Sequence, residues 1–232
     1  MTSVTEKTIP LTRIQRLIGK LMLKSKHEMP CCYLERDVDV TDLVKVRKKW
    51  CKDSGVRIST NDFFYLAISR AIERFPLMAA GSDDDGEHIT ISEHVGVGFA
   101  VAAAQGLVVP VIKDTTGMTL AQIAAQSDEL LKKARSNRLM PDDFDGANIV
   151  MSSLGMYGID SFYAIAPPGA IGIIAMGKLK EMPRMADDGQ IEKRRVLSLS
   201  LTVNQMIVNE FYAAEFLTYV VEQLENSRSL TQ

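Results

Sequence analysis

Apolar residues recur along this chain in two rhythms, and the switches between them predict its elements. From Pro10 onward Ile14, Leu17, Ile18, Leu21 and Met22 fall on one face of a 3.6-residue period, predicting a helix. Pro30 stops it, because the residue before a proline is pushed out of the helical region. Cys32, Leu34, Val38 and Val40 then alternate with polar residues, the period of a half-buried strand. Thr41 is placed to cap a second helix carrying Leu43, Val44, Val46 and Trp50 and ending near Gly55. Thr60 or Asn61 is placed to cap a third, rich in buried-type residues from Phe63 to Ile72 and closed before Pro76.

Asp83-Asp84-Asp85-Gly86 predicts a turn. Apolar stretches at Ile89 to Ile91, Val95 to Ala104 and Leu107 to Ile112 predict strands, and Thr119 starts a helix through Ala134. Strands at Asn148 to Ser153, Ala170 to Met176 and Ile191 to Thr202 follow, and a helix from Phe211 to Leu224 closes the chain. Helices and strands mix without regular βαβ alternation. A mixed sheet covered by helices is therefore expected. No repeat or low-complexity linker divides it, so one core domain over residues 9–226 is expected, with a flexible tail at 1–8 and a C-terminal tail at 227–232.

Composition narrows the function classes. At 46% hydrophobic and 24% charged residues the chain is an ordinary globular one. Its 27 basic and 29 acidic side chains leave a net charge of −2, which gives no global support for nucleic-acid or anionic-membrane binding. The longest apolar candidate for a span, Ala164 to Met176, is broken by Pro167, Pro168 and two glycines. The first residues lack an apolar signal region. Cys31, Cys32 and Cys51 are odd in number and lack C-x-x-C spacing, so reduced thiols rather than a disulfide or metal site are expected. A cytoplasmic setting follows, or the mitochondrial matrix for a piece of a eukaryotic protein.

One junction carries candidate chemistry. Between the strand ending near Thr202 and the last helix lies Asn204-Gln205-Met206-Ile207-Val208-Asn209-Glu210. A strand end is a natural place to present a base, yet this turn offers amides where proton transfer wants an imidazole. The histidines are His27, His88 and His94, and none has a sequence-based claim to the turn. Gly96-x-Gly98 and Gly169-x-x-Gly172 lack the strand, turn and helix context of dinucleotide binding, which removes a nicotinamide reading. The basic run Lys45, Arg47, Lys48, Lys49, Lys52 reads as an exposed helix face with some capacity to attract phosphate.

Several segments in fixed order carry a resemblance. They are Pro10-Leu11-Thr12-Arg13-Ile14, Val38-Asp39-Val40-Thr41-Asp42-Leu43, Thr60-Asn61-Asp62-Phe63, His94-Val95-Gly96-Val97-Gly98-Phe99-Ala100-Val101, Gly106-Leu107-Val108-Val109-Pro110-Val111-Ile112, Ser152-Ser153-Leu154-Gly155-Met156-Tyr157-Gly158 and Ala213-Ala214-Glu215-Phe216-Leu217. Together they resemble the catalytic domain of the dihydrolipoyl acyltransferases of 2-oxoacid dehydrogenase complexes, from Ile9 to Leu224.

The resemblance implies an α/β fold, a two-layer sandwich with a mixed sheet covered by helices like that of chloramphenicol acetyltransferase. It also implies a homotrimer with sites between subunits, some family trimers building further into cages with other dehydrogenase-complex subunits. It implies coenzyme A or acyl-coenzyme A as a substrate, with no covalently bound cofactor, no metal, no nucleic acid and no membrane. The family's D-H-R-x-x-D-G signature, sometimes ending N-G, falls on Asn204 to Glu210. Gln205 stands at the histidine, Met206 at the arginine, Asn209 at the variable acid and Glu210 at the final glycine. The oxyanion-binding serine falls on Ser152, and Lys24 falls where relatives offer a cation to coenzyme phosphates.

Three readings follow: a scaffolding pseudoenzyme, a slow acyltransferase, and a module that binds acyl-coenzyme A without turnover. Active relatives carry lipoyl and subunit-binding domains upstream, and this sequence is expected to lack them if Met1 is its true start. The C-terminal residues depart from the apolar tail that helps family trimers form cages, with Leu230 as the lone candidate anchor.

Overall fold

Packing resolves these rhythms into sixteen principal elements among the described residues. The computed structural model describes residues 8–82, 87–103, 106–186 and 189–231; the expected turn at Asp83 to Gly86, and residues 1–7 of the expected tail, lie outside them. The helices are α1 (Arg13–Glu28), α2 (Thr41–Ser54), α3 (Thr60–Arg74), α4 (Leu120–Arg135) and α5 (Glu210–Glu225). The strands are β1 (Cys31–Asp39), β2 (Ala80–Ser82), β3 (Ile89–Ile91), β4 (Val97–Phe99), β5 (Val101–Ala103), β6 (Gly106–Val108), β7 (Val111–Ile112), β8 (Ile149–Ser153), β9 (Gly172–Met176), β10 (Lys180–Met185) and β11 (Ile191–Asn204).

Caps explain most of the helix starts. Thr12 accepts the Gln15 N–H while Gln15 returns a bond to the Thr12 N–H, and Thr119 with Gln122 repeats the device on α4. On α3 the cap is Ser59, not Thr60 or Asn61, because Ser59 and Asp62 close the reciprocal box one residue earlier. Thr41 is likewise not the cap of α2. It lies inside the helix, where its hydroxyl accepts the Arg195 N–H at 2.7 Å and ties α2 to β11.

The main sheet has seven strands in the order β1-β11-β9-β8-β4-β7, with β10 paired to the first part of β11. β4, β8 and β9 run parallel, and the remaining pairings are antiparallel. The expected strand Val95 to Ala104 divides at Ala100, whose N–H donates to Met151 while β5 turns away to pair with β6. Leu107 to Ile112 divides at Pro110, which has no N–H to give. β10 escapes sequence reading because Lys180–Met185 is polar and holds Pro183; it pairs as an edge strand.

Two clusters bury the sheet. Leu197, Leu199, Leu201 and Val203 of β11 face α2, α3 and α5 in the larger one. Burying one such aliphatic side chain is worth about 1.5–3 kcal/mol, so this face dominates the fold's stability. On the opposite face Met29, Val150, Ala166, Ala170 and Ile173 form a smaller cluster, and Ser198, Ser200 and Thr202 are buried beside it. Leu230 is 1% exposed and packs into the larger cluster. The expectation that Leu230 anchors a neighbouring trimer is thereby corrected: its own core already holds it. No helix among the described residues is long and apolar enough to cross a membrane.

Candidate functional site

The turn after β11 is built by its amides. Asn204 ends the strand, donates its N–H to Ile171 and accepts the Val208 N–H on its carbonyl, while its side chain accepts the Met206 N–H at 3.0 Å. Gln205 donates its N–H to the Pro30 carbonyl at 2.8 Å, fixing the turn against the start of β1. Asn209 caps α5, its carboxamide oxygen accepting the Tyr212 N–H at 2.9 Å. Asn209 is therefore explained locally by helix capping.

Gln205 and Glu210 face solvent and each other. The Gln205 amide donates to the Glu210 carboxylate at 3.2 Å. An amide has no basic lone pair at neutral pH, so this pair presents an acceptor-only carboxylate and no imidazole. Cys32, half-buried on β1, feels the same carboxylate: burial first, and the Glu210 charge second, push its thiol up. The register that brings Cys32 opposite Val203 is invisible in a one-dimensional motif. The Cys32 thiolate is thus disfavoured.

Ser152 lies elsewhere. It is the fourth residue of β8 and pairs with Ala175, whereas Gly172, at the other end of β9, pairs with Val203. At about 3.3 Å per residue and 4.8 Å per strand, that offset is about 10 Å along the sheet and about 10 Å across it. Gln205 lies two residues farther out. One chain therefore does not bring Ser152 to the Gln205 turn.

The backbone beyond Ser152 is held by close glycine packing. Leu154 donates its N–H to Met176, and a Cβ on Gly155 would lie 2.7 Å from the Gly177 carbonyl oxygen. A cavity of about 550 Å³ opens beside Ser152 at the carboxyl ends of β4 and β8, with Tyr65, Phe99, Arg135 and Tyr157 among its walls. Crevices at strand carboxyl ends are the usual ligand sites of such sheets.

Lys24 does come near the turn. It lines a cleft of about 360 Å³ with Ser25, Met29, Pro167, Asn204 and Ile207, its ammonium 3.8 Å from Glu28 on the same helix. His94 is exposed and pairs with Asp114 at 2.7 Å, away from both Ser152 and Gln205. A feature that sequence reading missed is Glu35, which accepts the Ser198 hydroxyl at 2.6 Å and the Tyr163 hydroxyl at 3.0 Å. The Ser198 bond first, opposed by desolvation, holds its carboxyl below the usual range. Among the described residues no group of three or more His, Cys, Asp or Glu side chains is arranged to hold a metal.

Residues 3–231 match the model of the 2-oxoacid dehydrogenases acyltransferase catalytic domain. The dihydrolipoyllysine-residue acetyltransferase component of the Rickettsia felis pyruvate dehydrogenase complex is 31% identical over 224 residues, covering 95% of this chain and 54% of that protein. The mouse mitochondrial pyruvate dehydrogenase protein X component is 31% identical over 226 residues, covering 96% of this chain and 44% of that protein. The chain thus spans about half the length of the curated relatives it matches.

Among solved structures, the Azotobacter vinelandii dihydrolipoamide acetyltransferase superposes with a TM-score of 0.89 at 27% identity, covering 98% of this chain and 95% of that one. In that protein a serine, a histidine and an asparagine have roles in the catalytic mechanism. Chloramphenicol acetyltransferase, at 13% identity and a TM-score of 0.52 over 89% of this chain and 92% of that one, shares the fold.

Proposed function

The chain belongs to the 2-oxoacid dehydrogenase acyltransferases, through their catalytic domain, and we propose on that footing that it forms a homotrimeric core subunit whose acyl-transfer site is disabled. The observation that carries this reading is the Gln205–Glu210 pair. In the Azotobacter enzyme the histidine and asparagine are four positions apart, as Gln205 and Asn209 are here. The serine precedes that histidine by nearly the same span that separates Ser152 from Gln205.

Acyl transfer between thiols needs a base to form the attacking thiolate and donors to hold the oxyanion. Ser152 supplies a hydroxyl of the right kind. Gln205 supplies no base, which costs about 10²- to 10⁴-fold, or about 3–5 kcal/mol of barrier. Glu210 opposes the thiolate with its charge. The protein X relative, named as a pyruvate dehydrogenase component and not as an acyltransferase, is compatible with a non-catalytic role.

Trimer formation is supported by the split site. Ser152 and the Gln205 turn meet only if they come from different copies. The exposed Met156, Tyr157, Tyr163, Leu179 and Met182 give such a copy an apolar surface to cover. A second reading, coenzyme binding without turnover, is favoured by one observation: the cleft joining Lys24 to Asn204 and Ile207.

The experiment combines light scattering with an assay of acetyl-coenzyme A and dihydrolipoamide. A trimer with turnover at the uncatalysed rate is expected. Turnover well above it, abolished by Ser152→Ala, overturns the disabled site, and a monomer overturns the assembly. Calorimetric binding of coenzyme A lost in Lys24→Ala would establish the second reading.

A further inference from the structure

The basic run of α2 is left unused by the reading above, and the tertiary structure gives it a context the sequence lacked. Lys45, Lys49 and Lys52 recur at helical spacing, so they share one face of the helix. That face borders two depressions. One, of about 780 Å³, is lined by Lys45, Val46, Lys49, Trp50, Asp53 and the C-terminal Arg228. The other, of about 400 Å³, is lined by Val44, Lys45, Lys48, Glu181, Lys193 and Arg195. Lys45 belongs to both, so they adjoin across α2.

Charge is in excess here. Lys45 is paired with Asp42 at 2.9 Å and Lys193 with Glu181 at 3.6 Å. Lys48, Lys49, Arg195 and Arg228 have no carboxylate at ion-pair distance among the described residues. Asp53 shares the depression beside Lys49, and the Asp42 charge reaches Arg228. Four cations with no carboxylate at ion-pair distance among the described residues still leave this face basic in a chain of net charge −2. Apolar floor lies between them, from Val44, Val46 and the half-buried Trp50.

We propose that this face docks an acidic peptide segment of a partner protein, its carboxylates on Lys48, Lys49, Arg195 and Arg228 and an apolar anchor side chain over Trp50. Charge complementarity sets the sign of the partner. The shape sets its class, for two adjoining depressions with apolar side chains in their walls suit alternate side chains of an extended peptide. A nucleic acid fits less well: a single indole offers no stacking series, and the negative remainder of the surface repels a phosphate backbone.

Trp50 is the only tryptophan, so its emission reports on this face alone. The whole protein is titrated with a short synthetic peptide of glutamates carrying two leucines, with its lysine counterpart, and with oligothymidylate of matching charge. A saturable emission change is expected for the acidic peptide only. It should weaken with added salt and by about tenfold or more in K49E/R228E. K48E/K49E, confined to exposed residues, gives the same loss should the first pair disturb the fold. Absence of binding, equal binding of the lysine peptide, or oligothymidylate binding as tightly would overturn the proposal. So would a fall in the native assembly mass in K49E/R228E without peptide, which would make a second copy of the chain the occupant.

Discussion

Restoring the imidazole tests the electrostatics of the turn more sharply than removing anything does. In Gln205→His the new ring stands where the Gln205 amide now donates to Glu210 at 3.2 Å. A carboxylate near an imidazole favours its charged form and raises its pKa. At about 4 Å the interaction is about 1 kcal/mol in a water-like medium and about 4 kcal/mol at the dielectric of a protein surface. The turn is exposed, which keeps the effect near the lower figure. That is a little under one pKa unit, moving an imidazole from about 6.5 to just above 7. At pH 7 about two-fifths of the ring is then still neutral and able to take a thiol proton, so the Glu210 charge by itself costs only about twofold there. The single variant should still recover only a small part of the 10²- to 10⁴-fold expected of a base, because Met206 and Glu210 also alter the turn that must aim the ring, and its rate should rise through about pH 7.

Gln205→His with Glu210→Gly should recover more, and its apparent pKa should fall back toward 6.5. The assay is the pH dependence of kcat/KM for acetyl transfer to dihydrolipoamide in both variants. Equal profiles in the two would refute the role given to Glu210. Near-normal activity in the single variant at neutral pH would refute the claim that the turn itself is altered.

Other expectations are independent of catalysis. Gly177→Ala places a Cβ 1.8 Å from the Asp160 carbonyl oxygen, so a loss of about 2–4 kcal/mol is expected in urea unfolding, and an unchanged midpoint would refute the close packing behind Ser152. Asp143 has its carboxyl lowered first by the Met140 N–H and then, against desolvation, by Lys133. Its contribution is thus present above the unfolded value of about 3.9 and lost as pH falls through the folded one. The stability gap between native protein and Asp143→Asn should close on acidification; a gap constant with pH would count against the bond. Glu210→Gln should lower the pH midpoint for alkylation of Cys32, measured by mass spectrometry in a Cys31→Ser, Cys51→Ser background. An unmoved midpoint would mean that burial alone sets that thiol.

Local chemistry made much of this protein legible in advance. The helices announce themselves because a 3.6-residue apolar stripe has few alternatives, and α4 starts directly after its Thr119 cap. The Asn204 to Asn209 turn and its lack of a base were also plain, since side-chain identity alone decides whether a proton can be taken. Where the residue pattern misleads, the deciding partner lies far away in sequence. Thr41 serves β11 instead of capping α2, and β10 becomes a strand only because Ile191–Val196 lies alongside it. Leu230 has the composition of an exported anchor, yet α3 and α5 provide its socket at home.

The sequence by itself determined the family, the layered α/β class and the missing imidazole, because each rests on residue type and short-range spacing. Tertiary structure alone decided the rest. It set Ser152 and Gln205 at opposite ends of one sheet, aimed Glu210 at the Gln205 amide and toward Cys32, and gathered Arg195 and Arg228 beside the lysines of α2. Strand register and long-range packing carry that information, and no local periodicity encodes them.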